Sequence, residues 1–245
     1  NAMTNKILMG LIALVLGLLF LEILIVHSKN EQQKNASNQV QTARIMANGD
    51  LLYHDGLYMS ALQADGSYDF TENFTYVKPW LKQADLVLGD FEGTINPDYP
   101  LSGYPLFNAP QSVTAAIKDA GYDVMDLAHN HILDSGLEGA FTTADAFKKV
   151  GIDPIGVYEK PVRDKAPLLI KNVNGIKVAI LSYAYGYNGL ESNLTDKEVA
   201  DHLSNLDEKR MKAEIQRAEK EADITVIMPQ MGVEYRLEPT DEQVK

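Results

Sequence analysis

The sequence predicts an α/β fold with mainly parallel strands and at least one hairpin. Three observations lead there. Short apolar, strand-like runs alternate with helix-period runs from Ala43 to Met228. Asn174-Gly175 stands between two such runs, the two-residue signal of a tight hairpin. Hydrophobic residues make up 45% of the 245-residue chain, enough for one large domain core.

The N-terminus sets the first boundary. Asn1 and Ala2 read as a tag remnant ahead of Met3, and residues 1–6 as a cytoplasmic start. Residues 7–26 form an apolar stretch interrupted by one charge, Glu22. A helix of that length crosses the roughly 30 Å hydrocarbon core. Val26-His27-Ser28 offers a signal-peptidase site, but a cleaved signal has an apolar core of roughly 7–15 residues, so an uncleaved anchor is favoured. Lys6, Lys29 and Lys34 give a weak charge bias, and the expected topology is single-pass with the main domain outside the cell membrane. Residues 27–42 are polar and read as a flexible linker, which leaves residues 43–245 as the folded domain.

Composition excludes several classes. There is no cysteine, so a disulfide scaffold, a zinc-finger module, a cysteine nucleophile and a lipoprotein anchor are ruled out. The net charge of -12 disfavours nucleic acid as a partner, because phosphates require a basic face.

Within the domain, strands are expected at residues 43–48, 85–88, 122–128, 152–157, 168–173, 176–182 and 223–228. Helices are expected at 72–83, 109–120, 135–149 and 206–221. Ser135 and Glu138 match a capping box. Trp80, with Phe74 and Val77 at helical spacing, reads as core. The charged helix 206–221 reads as a solvated face. Tyr183, Tyr185 and Tyr187 read either as a pocket rim or as a strand end with one wet face. His27 and His202 read as juxtamembrane and surface residues.

The functional signal lies where the strands end. Gly49-Asp50, Gly89-Asp90-Phe91-Glu92-Gly93 and His129-Asn130-His131 each follow an apolar run. In open α/β sheets, sites gather beyond the carboxyl ends of strands. Carboxylates, an amide oxygen and an imidazole suit a divalent ion such as Mn, Fe, Zn or Mg. Each residue also has a plainer reading. Asp50 suits a turn, Asp90 and Glu92 suit a wet loop, and His131 suits a core. Asp134 reads first as a helix-cap residue, with orientation of His131 as the second reading. His54 lies in the run after Asp50, within conceivable reach of the pocket.

Taken together, these segments resemble the bacterial capsule-synthesis and poly-gamma-glutamate-synthesis proteins, a branch of the calcineurin-like metallophosphoesterases. The resemblance rests on Gly49-Asp50, Tyr68-Asp69-Phe70, Ala84-Asp85-Leu86 through Glu92-Gly93, and Pro110. It continues through residues 120–124, 127–136 and 174–179, then Met231-Gly232-Val233-Glu234-Tyr235, Pro239 and Gln243. It implies an αββα sandwich with a two-metal type of pocket. Asp50 falls on the first metal carboxylate and Glu92 on the acid of the second motif, with Asp90 beside it. Asn130 and His131 fall on the pair that supplies a metal ligand and a group over the substrate phosphate. His129 replaces a more usual asparagine, and its role stays open.

Two departures accompany the resemblance. Gln230 stands where many members have a histidine, and a late histidine-rich segment of the family would fall beyond Lys245. The chain is therefore expected to hold fewer than two ions, and its sandwich to be incomplete at the C-terminal side. Open edges then predict association, including self-association.

The resemblance implies a membrane-anchored accessory protein of capsule or poly-gamma-glutamate synthesis or export. Its expected partners are membrane lipid, other membrane components of that machinery, and an anionic polymer. So acidic a body would meet a polyanion through a bridging metal or a local basic patch such as Lys160, Arg163, Lys165, Lys171 and Lys177. Two other readings stay open, an active metal-dependent phosphoester or amide hydrolase and a non-catalytic scaffold.

Overall fold

A computed structural model describes residues 21–29, 40–162, 165–233 and 235–244. The chain divides into two units at Gln41/Thr42. In the first unit, residues 21–29 are helical and exposed. Most of the expected anchor and linker lies outside the described residues. Among the described residues, no helix is long and apolar enough to cross a membrane.

The second unit is built on two sheets. Strands β1 (Ile45–Asp50), β2 (Leu86–Asp90), β3 (Val124–Asp126) and β4 (Asp153–Ile155) form a parallel sheet in that order. Strands β5 (Leu169–Val173), β6 (Ile176–Ala184) and β7 (Ile224–Gln230) form the other, with β5–β6 antiparallel and β6–β7 parallel. The helices are α1 (Asp55–Ala61), α2 (Lys78–Leu81), α3 (Val113–Ala120), α4 (Gly136–Lys149), α5 (Asp196–His202), α6 (Glu208–Glu221) and α7 (Asp241–Val244). The β5–β6 turn is the hairpin that Asn174-Gly175 predicts, with both residues at positive φ (53° and 89°).

Alternation along the strands sorts the side chains into layers. Leu86, Leu88, Val124 and Ile155 of the first sheet meet Val173, Val178 and Ile180 of the second. Val87 and Met125 face the other way and join Val113, Ile117, Ala140 and Phe147 from α3 and α4. On the far side of β6, Ala179, Leu181 and Tyr183 pack with Ala218 of α6. The order is helices, sheet, sheet, helix. Each fully buried leucine, valine or phenylalanine contributes roughly 1.5–3 kcal/mol, so this interdigitation holds the strand ends in place.

Several expected elements differ. The helix expected over 72–83 is a 3₁₀ turn at Thr71–Phe74 followed by the four-residue α2. Pro79 has no N–H to continue a helix through that point and instead sits in the first turn of a new one. The predicted apolar stripe is therefore broken. Phe74 is buried, but Trp80 is 65% exposed and Val77 is exposed too. Strands β3 and β4 are shorter than the apolar runs that predict them. β7, expected to be buried, is the edge strand of its sheet and leaves Ile224 and Ile227 exposed.

The capping box at Ser135 does not form. Ser135 makes no cap bond and donates instead to Thr94 Oγ1 at 2.8 Å. In α6, Glu214 is buried rather than solvated, accepting from Tyr183 Oη at 2.7 Å and Arg210 Nε at 3.0 Å. His202 is half-buried, with Nδ1 2.7 Å from the Tyr158 carbonyl and its ring against Phe141. Tyr183 and Tyr187 point inward and Tyr185 outward, the strand end with one wet face.

Candidate metal centre

The first three strands carry a row of carboxylates at their C-terminal ends. Ile45, Met46 and Ala47 of β1 lie opposite Leu86, Val87 and Leu88, yet Asp50 lies opposite Asp90. β1 thus has one residue more than β2 over its last stretch. Strict alternation from Ile45 would turn Asp50 to the helix side. The bulge re-aims it onto the face that carries Leu86, Leu88 and Asp90. The register continues from Asp90 to Asp126 of β3, so Asp50, Asp90 and Asp126 lie side by side.

Glu92, two residues beyond β2, joins the row. Asp50 lies near enough to the Asp90 and Glu92 carboxyl groups to raise the pKa of both. Such contacts need protons between like charges. Burial pushes the Asp90 carboxyl up to about 9, helped by Asp126, Asp50 and Glu92. Burial and Asp50 push Glu92 up to about 8, while His131 opposes this. Asp126 rises to about 7, again mainly by burial, although Ala128 N–H donates to its Oδ1 at 2.8 Å.

The turn after β3 brings the imidazole and the amide. His131 Nδ1 lies 2.8 Å from Asp134 Oδ2, and its Nε2 lies 3.9 Å from Glu92 Oε1. Asp134 Oδ2 also accepts from Phe107 N–H at 2.6 Å. The helix-cap reading of Asp134 is thereby corrected, since its carboxylate orients His131 instead. Phe107 is stacked edge-on between His131 and His54, with 4.8 Å between centroids on each side. His54 therefore sits beside the site across one ring, exposed, without joining the carboxylate row.

The second sheet supplies Gln230. Gln230 closes β7 opposite Ala184, at the same end of the molecule as the carboxylates. It reaches Asn130 with both ends of its amide. Asn130 N–H donates to Gln230 Oε1 at 2.6 Å, and Gln230 Nε2 donates to Asn130 Oδ1 at 2.8 Å.

His129 is placed behind the site. It is fully buried, its Nδ1 accepts from His131 N–H at 3.2 Å, and burial pulls its pKa down to about 3. Its Nε2 has no partner in hydrogen-bond geometry among the described residues, although the Phe91 backbone lies near enough to favour the protonated form slightly. This enclosed imidazole holds the turn through its contact with the His131 backbone.

The arrangement joins Asp50, Asp90, Glu92 and His131, and separately pairs Asn130 with Gln230. Sequence reasoning missed Asp126, Phe107 and Asn188. Asp126 follows the same strand-end rule as Asp50 and Asp90 and was there to be found. Asn188 accepts from Asn130 Nδ2 at 3.1 Å, a contact that no local pattern signals. Among the described residues, no three His, Asp or Glu side chains form a preformed metal cage.

The sequence profile of the bacterial capsule synthesis protein PGA_cap family matches residues 44–245. The chain belongs to that family.

Its relatives agree with the profile. The chain is 30% identical to the capsule biosynthesis protein CapA of Bacillus anthracis over 69% of its own length and 43% of the relative's. It is 26% identical to the PGA biosynthesis protein CapA of Bacillus subtilis (strain 168), over 98% of itself and 62% of that protein. This capsule synthesis family chain thus spans about half the length of those curated relatives. Its fold is similar to the crystal structure of a Staphylococcus aureus protein assigned as a 5'-nucleotidase, in complex with alpha-ketoglutarate. The TM-score there is 0.51 at 15% identity, covering 80% of this chain and 39% of the other. The α/β class with a parallel sheet, read from the sequence, is thereby shared with that structure.

Proposed function

We propose that this domain serves the synthesis or export of a capsule polymer of the PGA type through a divalent-cation site at the strand ends. One observation carries the reading. The row Asp50–Asp90–Glu92 is held together although its ionised form repels itself, and Asp90 Oδ1 is buried with no hydrogen-bond partner among the described residues. Hard oxygen donors of this kind fit Mn, Mg, Fe or Zn, and a dication would relieve the repulsion that protons now relieve.

Asp50, Asp90, Glu92 and His131 are the residues that would hold the ion, with Asn130 beside them. A bound dication supplies Lewis acidity and lowers the pKa of water. Asp134 keeps the His131 ring turned towards Glu92, and Phe107 closes its flank against solvent. Relatives in this family are named for capsule and PGA biosynthesis, which supports an acidic polymer as the substrate class. A metal would also bridge this acidic body to such a polyanion. Of the basic patch, Lys171 is paired with Asp153 at 2.7 Å. Arg163 lies outside the described residues. The proposed setting is the outer face of the membrane, with residues 7–26 as the anchor and other membrane components of the machinery as partners.

Calorimetric titration of Mn²⁺ into the purified full chain at neutral pH tests the reading. Saturable binding is expected, weakened at least tenfold in Asp90→Asn. No heat of binding at millimolar Mn²⁺ overturns it.

The scaffold reading draws on the Gln230–Asn130 pairing, which commits the amide of Asn130 to another side chain. It requires that a host carrying Asp50→Ala with His131→Ala still displays normal amounts of surface polymer. The cation reading requires that the polymer is lost.

A further inference from the structure

The turn after β6 reaches the site through one residue, Asn188. Asn188 and Gly189 both have positive φ, 55° and 81°, so the backbone reverses sharply and presents the Asn188 side chain. The turn is anchored beneath. Tyr187 is buried with its hydroxyl on Asn205 Oδ1, and Leu190 N–H donates to the Tyr187 carbonyl at 2.9 Å. Asn188 Oδ1 accepts from Asn130 Nδ2 at 3.1 Å. Its Nδ2 lies 3.5 Å from His131 Nε2, the long limit of a hydrogen bond.

These contacts form one chain with one polarity. At one end Asp134 Oδ2, already accepting from Phe107 N–H, accepts from His131 Nδ1. That places the ring proton on Nδ1 and the lone pair on Nε2, where Asn188 Nδ2 donates. Asn188 Oδ1 then takes the Asn130 amide proton, Asn130 Oδ1 takes that of Gln230, and Gln230 Oε1 takes the Asn130 backbone N–H. A backbone N–H can only donate, and a carboxylate in this setting only accepts. Neither end can be reversed, so none of the three amides between them can flip without placing donor against donor or acceptor against acceptor.

We propose that Asn188 is a positioning residue of this site, locking the His131 ring, whose tautomer Asp134 sets, to the amide of Asn130. It occupies the lone pair of Nε2, the ring atom 3.9 Å from Glu92, and ties the β6 turn of the second sheet to the strand ends of the first. The inference rests on the divalent-cation reading for its consequence, though the polarity itself is independent of any ion.

The test uses the full chain, ¹⁵N-labelled, with three forms: unaltered, Asn188→Gly and Asn188→Asp. Asn188→Gly removes the side chain while tolerating the positive φ, so the turn persists. Asn188→Asp retains an acceptor for Asn130 but has no donor for His131. Long-range ¹H–¹⁵N spectra of the histidine rings, assigned through His131→Gln, report the tautomer, and Mn²⁺ calorimetry reports affinity.

The unaltered chain is expected to show His131 as the Nδ1–H form. Its Nε2 resonance shifts in both variants, and the Asn130 side-chain resonance shifts in Asn188→Gly alone. Nε2 has a single lone pair, so the Asn188 amide and an ion compete for it, and Mn²⁺ affinity is expected to rise in Asn188→Gly. An unaltered His131 ring spectrum in Asn188→Gly overturns the proposal. If the unaltered chain binds no Mn²⁺, the cation reading fails, and the ring spectra alone still decide the role of Asn188.

Discussion

Asp50 and Asp90 are register partners on adjacent parallel strands only because β1 carries one residue more than β2 between Ala47 and Asp50. Without that bulge, alternation would send Asp50 to the helix side of the sheet and leave Asp90 beside Asp126 alone. The site is therefore as much a product of strand irregularity as of residue type. A Cβ on Gly89 would lie 2.7 Å from Tyr122 Cε1 and 3.2 Å from Asn48 Oδ1.

The first prediction concerns that contact. Tyr122 is 2% exposed and has no open space to swing into. Gly89→Ala is expected to destabilise the domain by about 1–3 kcal/mol, the usual cost of forcing a methyl group into a packed site. Urea unfolding measures it. Tyr122→Leu should recover part of the loss in the double variant, and a loss unaffected by Tyr122→Leu would place the strain elsewhere.

The second concerns pH in the metal-free protein. Asp90, Glu92 and Asp126 are pushed up to about 9, 8 and 7, whereas unfolded carboxyl groups titrate near 4. Between about 4 and 9 the folded chain binds more protons than the unfolded one, so stability falls as pH rises through that window. His129 acts in the opposite sense over the lower part of that window. With its pKa pulled to about 3, the unfolded chain binds the extra proton under about pH 6.5, and stability falls as pH drops. Unfolding temperatures are expected to peak in mildly acidic buffer and to decline towards pH 8. Asp90→Asn should flatten the alkaline decline, and added Mn²⁺ should stabilise more at pH 8 than at pH 5. A metal-free protein whose unfolding temperature climbs from pH 5 to pH 8 would contradict the assignment.

Some of this was open to reading from sequence and some was not. Gly-Asp after an apolar run marks a strand end with an acid beyond it, so Asp50 and Asp90 were legible. The bulge that aligns them was not, because the same letters fit a regular strand. Asn130 and Gln230 are 100 residues apart, and their pairing depends on how two sheets stack. Trp80 misled because helical spacing continues through Pro79 in the letters but not in the backbone. Glu214 misled for the opposite reason. A glutamate on a charged helix reads as wet until Tyr183, on another element, is seen to cover it.

The third prediction follows from Glu214. Its carboxylate is 5% exposed and held by Tyr183 Oη on one oxygen and Arg210 Nε on the other. Arg210 Nη1 in turn donates to the Ala200 and Leu203 carbonyls, joining α5 to α6, and its guanidinium lies 5.9 Å from the Tyr158 ring centroid. Burial and Glu214 together hold the Tyr183 hydroxyl above its usual range, so it stays a donor at any ordinary pH. Removing the cation leaves a charge buried without its partner, and Arg210→Ala is expected to cost about 3–5 kcal/mol. Tyr183→Phe removes one hydrogen bond to the same carboxylate and should cost less, about 1–3 kcal/mol. Replacing Arg210 and Glu214 together should cost less than Arg210→Ala alone, because no charge is then stranded. Because the pair is enclosed, these differences should change little between 0.1 and 1 M salt, unlike those of an exposed pair such as Lys212–Glu208. Additive losses in urea unfolding would show that Glu214 is solvated in solution and that its contact with Tyr183 does not hold α6 to the second sheet.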